Sequence, residues 1–278
     1  MWGQPPKPAL SGVEGVVRSR SLMWGQPPSA VHSSAARSPL SAMAKHSPLC
    51  VHPLPAPHLR NIDKAMPRPF PAAKDRALIH IVDSALADAA QRSGAWLVCR
   101  PGCTQCCIGV FPINQLDAQR LRRGLADLEK TSPRKALRVR SRARDAVTRL
   151  SPHFPGDSAT GILQKEKEEE EEDYAARFSV FANDEPCPAL DPATGNCDLY
   201  ESRPMTCRVF GPPIRSADGL GEDGLGVCEL CYHGASDEEI AACEIKPDPD
   251  GLESTLLKQV EDKTGIHGET IVAFCLVR

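Results

Sequence analysis

The stretch Cys99-Arg-Pro-Gly-Cys103-Thr-Gln-Cys106-Cys107 decides how this chain folds. Four thiols lie within nine residues there, and spacings of two or three residues let neighbouring thiolates converge on one metal ion from a tight loop. Thiolate is a soft ligand that selects zinc, Cu(I) or an iron–sulfur cluster over magnesium or calcium. The stretch therefore predicts a fold built around a cysteine-ligated metal centre.

Further cysteines extend this group along the chain. They are Cys187, Cys197, Cys207, Cys228 and Cys231. The turn sequence at 191–196 predicts that Cys187 and Cys197 lie on the two arms of a hairpin-like loop, with both sulfurs near its neck. Nine thiols exceed the four that one structural zinc takes. The adjacent side chains of Cys106 and Cys107 diverge, so two ions or a multi-iron cluster would use both thiols more naturally than one ion.

Two other interpretations of the cysteines were compared with metal binding. An isolated cysteine commonly packs as a small apolar residue, and we interpret Cys50, Cys243 and Cys275 in this way. A disulfide framework needs an oxidising compartment. Because no compact apolar segment follows a basic start, the sequence favours a reducing, cytoplasmic location in which clustered cysteines are metal ligands or redox groups.

Composition limits the core and the partners. Only 5% of the 278 residues are aromatic and 26 are proline, so we expect a modest apolar core whose folding is supported by metal cross-links. The net charge of −3 predicts no general attraction to nucleic acid or to an anionic membrane. No apolar run of about 18 residues is present, which excludes a membrane-spanning helix. A metal ion is the predicted partner, and a protein partner is left open.

The N-terminal segment 1–65 differs from the rest of the chain. The block MWGQPP occurs at Met1–Pro6 and again at Met23–Pro28, and acidic residues are almost absent. We expect this segment to be disordered or a spurious upstream extension, with an organelle transit peptide as the alternative. Met43 and Met66 are the other candidate starts. The metal-binding domain is predicted at 66–278, with a charged insertion at about 130–175.

Helical periodicity and cap residues predict a mostly α fold with a loop-rich, cysteine-ligated metal centre and at most a small β-hairpin. Helices are predicted over 72–93, from Asn114, from Pro133 to Leu150, over Tyr200–Phe210, from Ser236 and from Asp250. A short strand is predicted at Phe178–Phe181. The helix ending at Leu150 is strongly basic, and we interpret its charge as a solvated face that pairs with the acidic run Glu166–Asp173 rather than as a nucleic-acid surface.

The cysteine pattern resembles the YkgJ-type cysteine-cluster family. The resemblance is carried by the first stretch together with Pro186-Cys187-Pro188, Gly195-Asn-Cys197, Leu199–Pro204 and Cys207-Arg208-Val-Phe210. The first spacing is three residues here, where the family label implies two. The resemblance implies chelation of zinc or iron in the cytoplasm of a bacterial-type cell. A relative of the family, the flagellin lysine methylase, couples a similar cysteine set to methyl transfer and is thought to hold an iron–sulfur cluster.

We therefore predict a soluble zinc- or iron-chelating protein of unassigned cellular role. The predicted metal ligands are Cys99, Cys103, Cys106, Cys107, Cys187, Cys197, Cys207, Cys228 and Cys231. Arg203 and Arg208 are expected to offset the thiolate charge, and His233 is either an extra ligand or simply exposed. One alternative is an iron–sulfur enzyme or electron carrier, and another is an interaction module shaped by metal. No catalytic triad or nucleotide-binding loop is found, and enzyme status is left open.

Overall fold

The computed structural model describes residues 70–164, 171–215 and 225–277. The predicted N-terminal extension 1–65 and most of the acidic run therefore lie outside the described residues. The helices are α1 (Ala72–Ser93), α2 (Gln115–Thr131), α3 (Pro133–Leu150), α4 (Glu171–Ser179), α5 (Met205–Val209), α6 (Asp237–Ala241), α7 (Leu252–Thr264) and α8 (Val272–Leu276). Within these ranges, no helix combines the length and the apolar character that are needed to cross a membrane.

Strand structure is confined, in the described ranges, to two short antiparallel pairs. Strand β1 (Gly156–Asp157) pairs with β2 (Ile162–Leu163), and β3 (Ile214–Arg215) pairs with β4 (Leu225–Gly226). The predicted fold class, mostly helical with the cysteines in loops, is thus confirmed.

The cap residues begin and end the helices where the sequence predicted. The backbone at Gly94 ends α1 with a φ of 50°, a conformation that glycine adopts without steric cost. The Asn114 side chain accepts a hydrogen bond of 2.9 Å from Asp117 N–H at the start of α2. Ser236 and Glu239 form a reciprocal capping box at α6. These local signals depend only on neighbouring residues, which is why the sequence reveals them.

Two predicted elements are wrong. Phe178 lies in helix α4 and not in a strand, because Tyr174, Phe178 and Phe181 follow a helical spacing and pack ring against ring, with centroids 6.4 Å and 6.1 Å apart. The predicted helix Tyr200–Phe210 is divided into a 3-10 turn and helix α5. Pro204 divides it, because proline removes a backbone donor and holds the preceding residue in an extended conformation.

The core has α2 at its centre. Helices α3 and α8 pack on one side of α2, around Leu121, Val139 and Leu276. Helices α1 and α7 pack on the other side, around Leu116 and Leu256. Cys187, Cys197 and Cys207 pack against the first of these clusters. The cysteine loops therefore pack against the helical core.

A buried ionic network links this core to the cysteine loops. Arg120 Nε donates to Asp75 Oδ1 of α1 at 2.7 Å, and Arg120 Nη1 donates to Asp117 Oδ1 at 2.5 Å. Asp117 Oδ1 also accepts the Met205 N–H at 3.0 Å, at the start of α5. Burial raises the pKa of Asp117, and the Arg120 charge opposes that shift. The network therefore fixes α5, which carries Cys207, against α1 and α2.

Helix α3 is basic because it holds the hairpin loop. Arg142 Nε donates to Pro188 O at 2.7 Å, and Arg142 Nη2 donates to Asp198 Oδ2 at 2.7 Å. Arg149 pairs with Glu185 at 2.5 Å. These acids flank Cys187 and Cys197. Basic residues of α3 thus have described partners beside the cysteines, while their predicted pairing with the acidic run stays a prediction.

Replacing Arg120 with methionine is expected to destabilise the fold by about 3–5 kcal/mol, because the two buried carboxylates of Asp75 and Asp117 lose their cation. Urea unfolding measures the loss. The matched control is Lys130→Met, which breaks the exposed Lys130–Asp127 pair and is expected to leave the free energy of unfolding unchanged within error. Similar losses in the two variants would contradict the structural role of the network.

Candidate metal centre

The first cysteine loop is a pair of tight turns. Cys103 N–H donates to Arg100 O at 3.0 Å, and Gly102 between them has a φ of 87°. The chain then forms the 3-10 turn Gln105–Cys107, in which Cys107 N–H donates to Thr104 O at 2.8 Å. Because both turns reverse the chain within a few residues, the four thiols of this loop stay close to one another.

The second cysteine segment pairs with the end of the first loop. Cys187 N–H donates to Cys107 O at 2.8 Å, next to an antiparallel bridge between Ile108 and Pro186. A second bridge, between Leu190 and Cys197, closes the hairpin-like loop that the sequence predicted. These contacts bring Cys187 and Cys197 beside Cys107.

The tip of the hairpin-like loop also touches the first loop directly. Gly195 has a φ of 71°. A Cβ atom on Gly195 would lie 3.2 Å from Gly102 O and 3.3 Å from Gly102 Cα. Only glycine fits this approach without displacement, because a side chain would strain the backbone and crowd the opposite loop.

Five thiols influence one another in this region, and they are Cys106, Cys107, Cys187, Cys197 and Cys207. The pKa of Cys107 is raised by its hydrogen bond with Cys106 and then by burial. Burial raises the pKa of Cys187 to about 12, with further contributions from Cys197 and Cys106. Burial also raises the pKa of Cys207, with Cys187 as the next cause. The hydrogen bond of Cys187 N–H to Cys107 O and the packing of Cys187, Cys197 and Cys207 against one core cluster agree with these effects, so we treat the five thiols as one group.

The other four predicted ligands form a neighbouring group. Cys99 is exposed as a whole residue, but desolvation of its thiol raises its pKa to about 12, with Cys231 and Cys103 as the next causes. Cys228 and Cys231 form a hydrogen-bonded pair in which the pKa of Cys228 is raised and that of Cys231 is lowered. Cys106 also raises the pKa of Cys99. The structure thus brings all nine predicted ligands into one region, arranged as two groups that adjoin at Cys106.

The described side chains do not form a closed ligand shell. Among residues 70–164, 171–215 and 225–277, no three His, Cys, Asp or Glu side chains converge so as to hold a metal ion. Among the described thiols, three hydrogen-bonded pairs are present instead: Cys99 with Cys103, Cys106 with Cys107, and Cys228 with Cys231. Rotation about the Cα–Cβ bond between staggered positions moves a sulfur while the backbone stays in place. The cysteines fit a thiolate-bound metal because they supply soft sulfur donors that lie close together. Their side chains must rotate in this way before they can bind one ion.

The two arginines near Cys207 have different surroundings. Arg203 stacks over the Tyr200 ring at 3.9 Å, and its charge opposes the burial that raises the pKa of Cys197. Arg208 is buried and donates to Asp83 Oδ1 at 2.6 Å, while its buried Nε has no acceptor. Arg203 is therefore placed to offset thiolate charge, as expected. The charge of Arg208 is shared with a carboxylate of α1.

The sequence analysis gave Cys243 and Cys275 as packing residues and His233 as an optional ligand. His233 is exposed. Cys243 is buried in an apolar cluster with Cys228 and Cys231. Cys275 is buried in the helical core, where its Sγ donates to Ala118 O at 3.3 Å. The sequence did not reveal the contact of Asp117 with Met205 N–H or that of Asp198 with Arg142, because these partners are far apart along the chain.

Comparison with known proteins identifies the cysteine region. Residues 98–218 match the model of the CxxCxxCC family, which is described as a putative zinc- or iron-chelating domain. The match covers 121 of the 278 residues. The resemblance seen in the cysteine pattern is confirmed, and the match identifies a metal-chelating cysteine-cluster protein without assigning it a cellular role. The CxxCxxCC match ends before Cys228 and Cys231. No curated protein and no solved structure matches the chain.

Replacing Gly195 with alanine is expected to separate the two cysteine loops. The free energy of unfolding should fall by more than the cost of holding alanine in a left-handed backbone conformation. The matched control is Gly265→Ala, because Gly265 has a φ of 66° and nothing lies within 4 Å of its Cβ position. We expect the control to cost about 1–2 kcal/mol and Gly195→Ala to cost more, as measured by urea unfolding. Equal losses would show that the contact with Gly102 contributes nothing.

Proposed function

We propose that the chain chelates zinc or iron through the five thiols grouped around Cys106. The observation that supports this most directly is the meeting of three distant segments. The first loop contributes Cys106 and Cys107, the hairpin-like loop contributes Cys187 and Cys197, and α5 contributes Cys207. Thiol groups from separate segments that are buried against each other are the arrangement that a multi-thiolate metal centre requires.

The environment of these thiols favours a closed centre. Cys187, Cys197 and Cys207 pack against the apolar cluster between α2, α3 and α8. Soft, partly buried sulfur ligands bind zinc or iron and exclude magnesium and calcium. When bound, the metal would cross-link three loops and so supply part of the folding free energy. A structural or storage role follows, in a reducing compartment such as the cytoplasm.

An iron–sulfur centre is the second candidate, and the number of thiols favours it. Five thiols exceed the four that one structural zinc takes. Cysteine thiolates are also the usual ligands of iron–sulfur clusters. If such a cluster binds, electron transfer or an enzymatic role becomes possible. The third candidate, a metal-shaped interaction module, has weaker support, because Arg142 and Arg149 of the basic helix already pair with acids of this chain.

The test is metal analysis together with a visible absorption spectrum, on the full chain purified without oxygen. Zinc without a visible band supports a structural chelating centre. Iron with inorganic sulfide and broad visible absorption supports the iron–sulfur candidate. Protein that stays folded with all its thiols free and binds neither metal would contradict the proposal.

The double substitution Cys187→Ser and Cys207→Ser is expected to remove metal from this centre, because serine is a poor ligand for a soft ion. Metal content per chain is the readout, and circular dichroism reports whether the variant folds. The control is Cys275→Ser, since Cys275 is a buried cysteine outside the predicted ligand set, and its Sγ donates to Ala118 O. A double variant that keeps the full metal content would place the ligands elsewhere.

A further inference from the structure

The turn Cys228-Glu-Leu-Cys231 packs against the first cysteine loop although it lies beyond the residues that match the CxxCxxCC family. Cys231 N–H donates to Cys228 O at 2.9 Å, which closes the turn. The next residue, Tyr232, donates its N–H to Trp96 O at 2.9 Å. Trp96 stands three positions before Cys99. The backbone therefore holds this turn beside the start of the first loop.

Two further contacts fix the same arrangement. Cys228 N–H donates to Gly211 O at 3.3 Å, and a Cβ atom on Gly211 would lie 3.6 Å from Cys99 Sγ. On the other side, the Gln105 side chain donates to the Glu229 side chain. The turn is thus joined to both ends of the first cysteine loop, with Cys99 next to the segment that carries Cys228.

From this geometry we propose that Cys99, Cys103, Cys228 and Cys231 form a second metal centre, a closed tetrathiolate site for zinc. The two pairs are separated by three and two residues, within the spacing that structural zinc sites use. Each pair already lies in a tight turn, and the two turns are in contact. The inference rests on the proposed function, because it extends metal chelation from one centre to two.

The surroundings of these four thiols suit a zinc ion. Cys228 and Cys231 are buried beside Trp96, Leu97 and Phe210, which shields these two thiols from water, whereas Cys103 is half-buried and Cys99 is exposed. The backbone N–H groups of Val98 and Cys99 lie close to the Cys231 sulfur. N–H groups in this position stabilise a thiolate and orient it toward a metal. Four thiolates on Zn²⁺ leave a net charge of −2, and these N–H groups partly offset it.

The second centre is separate from the five-thiol centre for a geometric reason. Cys103 and Cys106 lie in two successive turns of the first loop, one closed by Cys103 N–H and the other by Cys107 N–H. Cys99 adjoins Cys231 and forms a side-chain hydrogen bond with Cys103, which joins Cys103 to this group. Cys106 and Cys107 belong to the second turn, which pairs with the segment of Cys187. The nine thiols thus divide into four and five.

The test measures zinc and iron per chain in the full-length protein purified without oxygen. The double variant Cys228→Ser and Cys231→Ser is expected to lose about one zinc ion per chain and to keep the metal that the Cys187→Ser and Cys207→Ser variant loses. The control is Cys243→Ser, which introduces a hydroxyl into the same buried cluster and is expected to keep both metals. Cys103→Ser, at a partly exposed position, is used as well in case the double variant does not fold.

The outcomes distinguish this inference from the proposed function. If the folded Cys228/Cys231 or Cys103 variant keeps the full zinc content, or loses the metal of both centres together, the second centre is overturned while chelation stands. If the unsubstituted chain binds no metal, the proposed function fails and this inference fails with it. Loss of one zinc from the variants, with the other metal unchanged, supports two centres.

Discussion

Two backbone hydrogen bonds join the first cysteine loop to the segment that carries Cys187. Cys187 N–H donates to Cys107 O at 2.8 Å, and Gly109 N–H donates to Glu185 O at 2.9 Å. Each contributes only about 0.5–1.5 kcal/mol, too little to close the long intervening chain without help. Helix α3 lies within this intervening chain and contributes two ion pairs. Through them, Arg142 and Arg149 hold both flanks of the hairpin-like loop. The cysteine centre therefore depends on the charged insertion.

Burial of thiols in contact with one another is the second constraint. Desolvation and neighbouring sulfurs raise the pKa of Cys99, Cys187 and Cys207, so these three thiols are favoured in their neutral form without metal. A bound metal ion stabilises the thiolates and would replace the pairwise hydrogen bonds with direct ligation. The negative charge that remains needs nearby cations and N–H donors, and Arg203 and the backbone around Cys231 provide them.

The sequence predicted those features that depend on neighbouring residues. The bounds of α1, the Asn114 cap and the hairpin-like loop follow from local patterns and are confirmed. The strand predicted at Phe178–Phe181 was wrong because the helical period of its aromatic residues extends to Tyr174. The division of the thiols into four and five that we propose depends on which turns meet in space. The contact of Tyr232 with Trp96 crosses more than a hundred residues, and no local pattern reveals it.

X-ray absorption at the metal edge of the purified chain tests the central claim most directly, because it reports the atoms bound to the metal whether one centre or two are filled. Ligation by the cysteine loops predicts a shell made only of sulfur, at about 2.3 Å for zinc. A shell dominated by nitrogen or oxygen would contradict the claim, since it would place the metal on histidine or carboxylate side chains away from the thiols that the fold brings together.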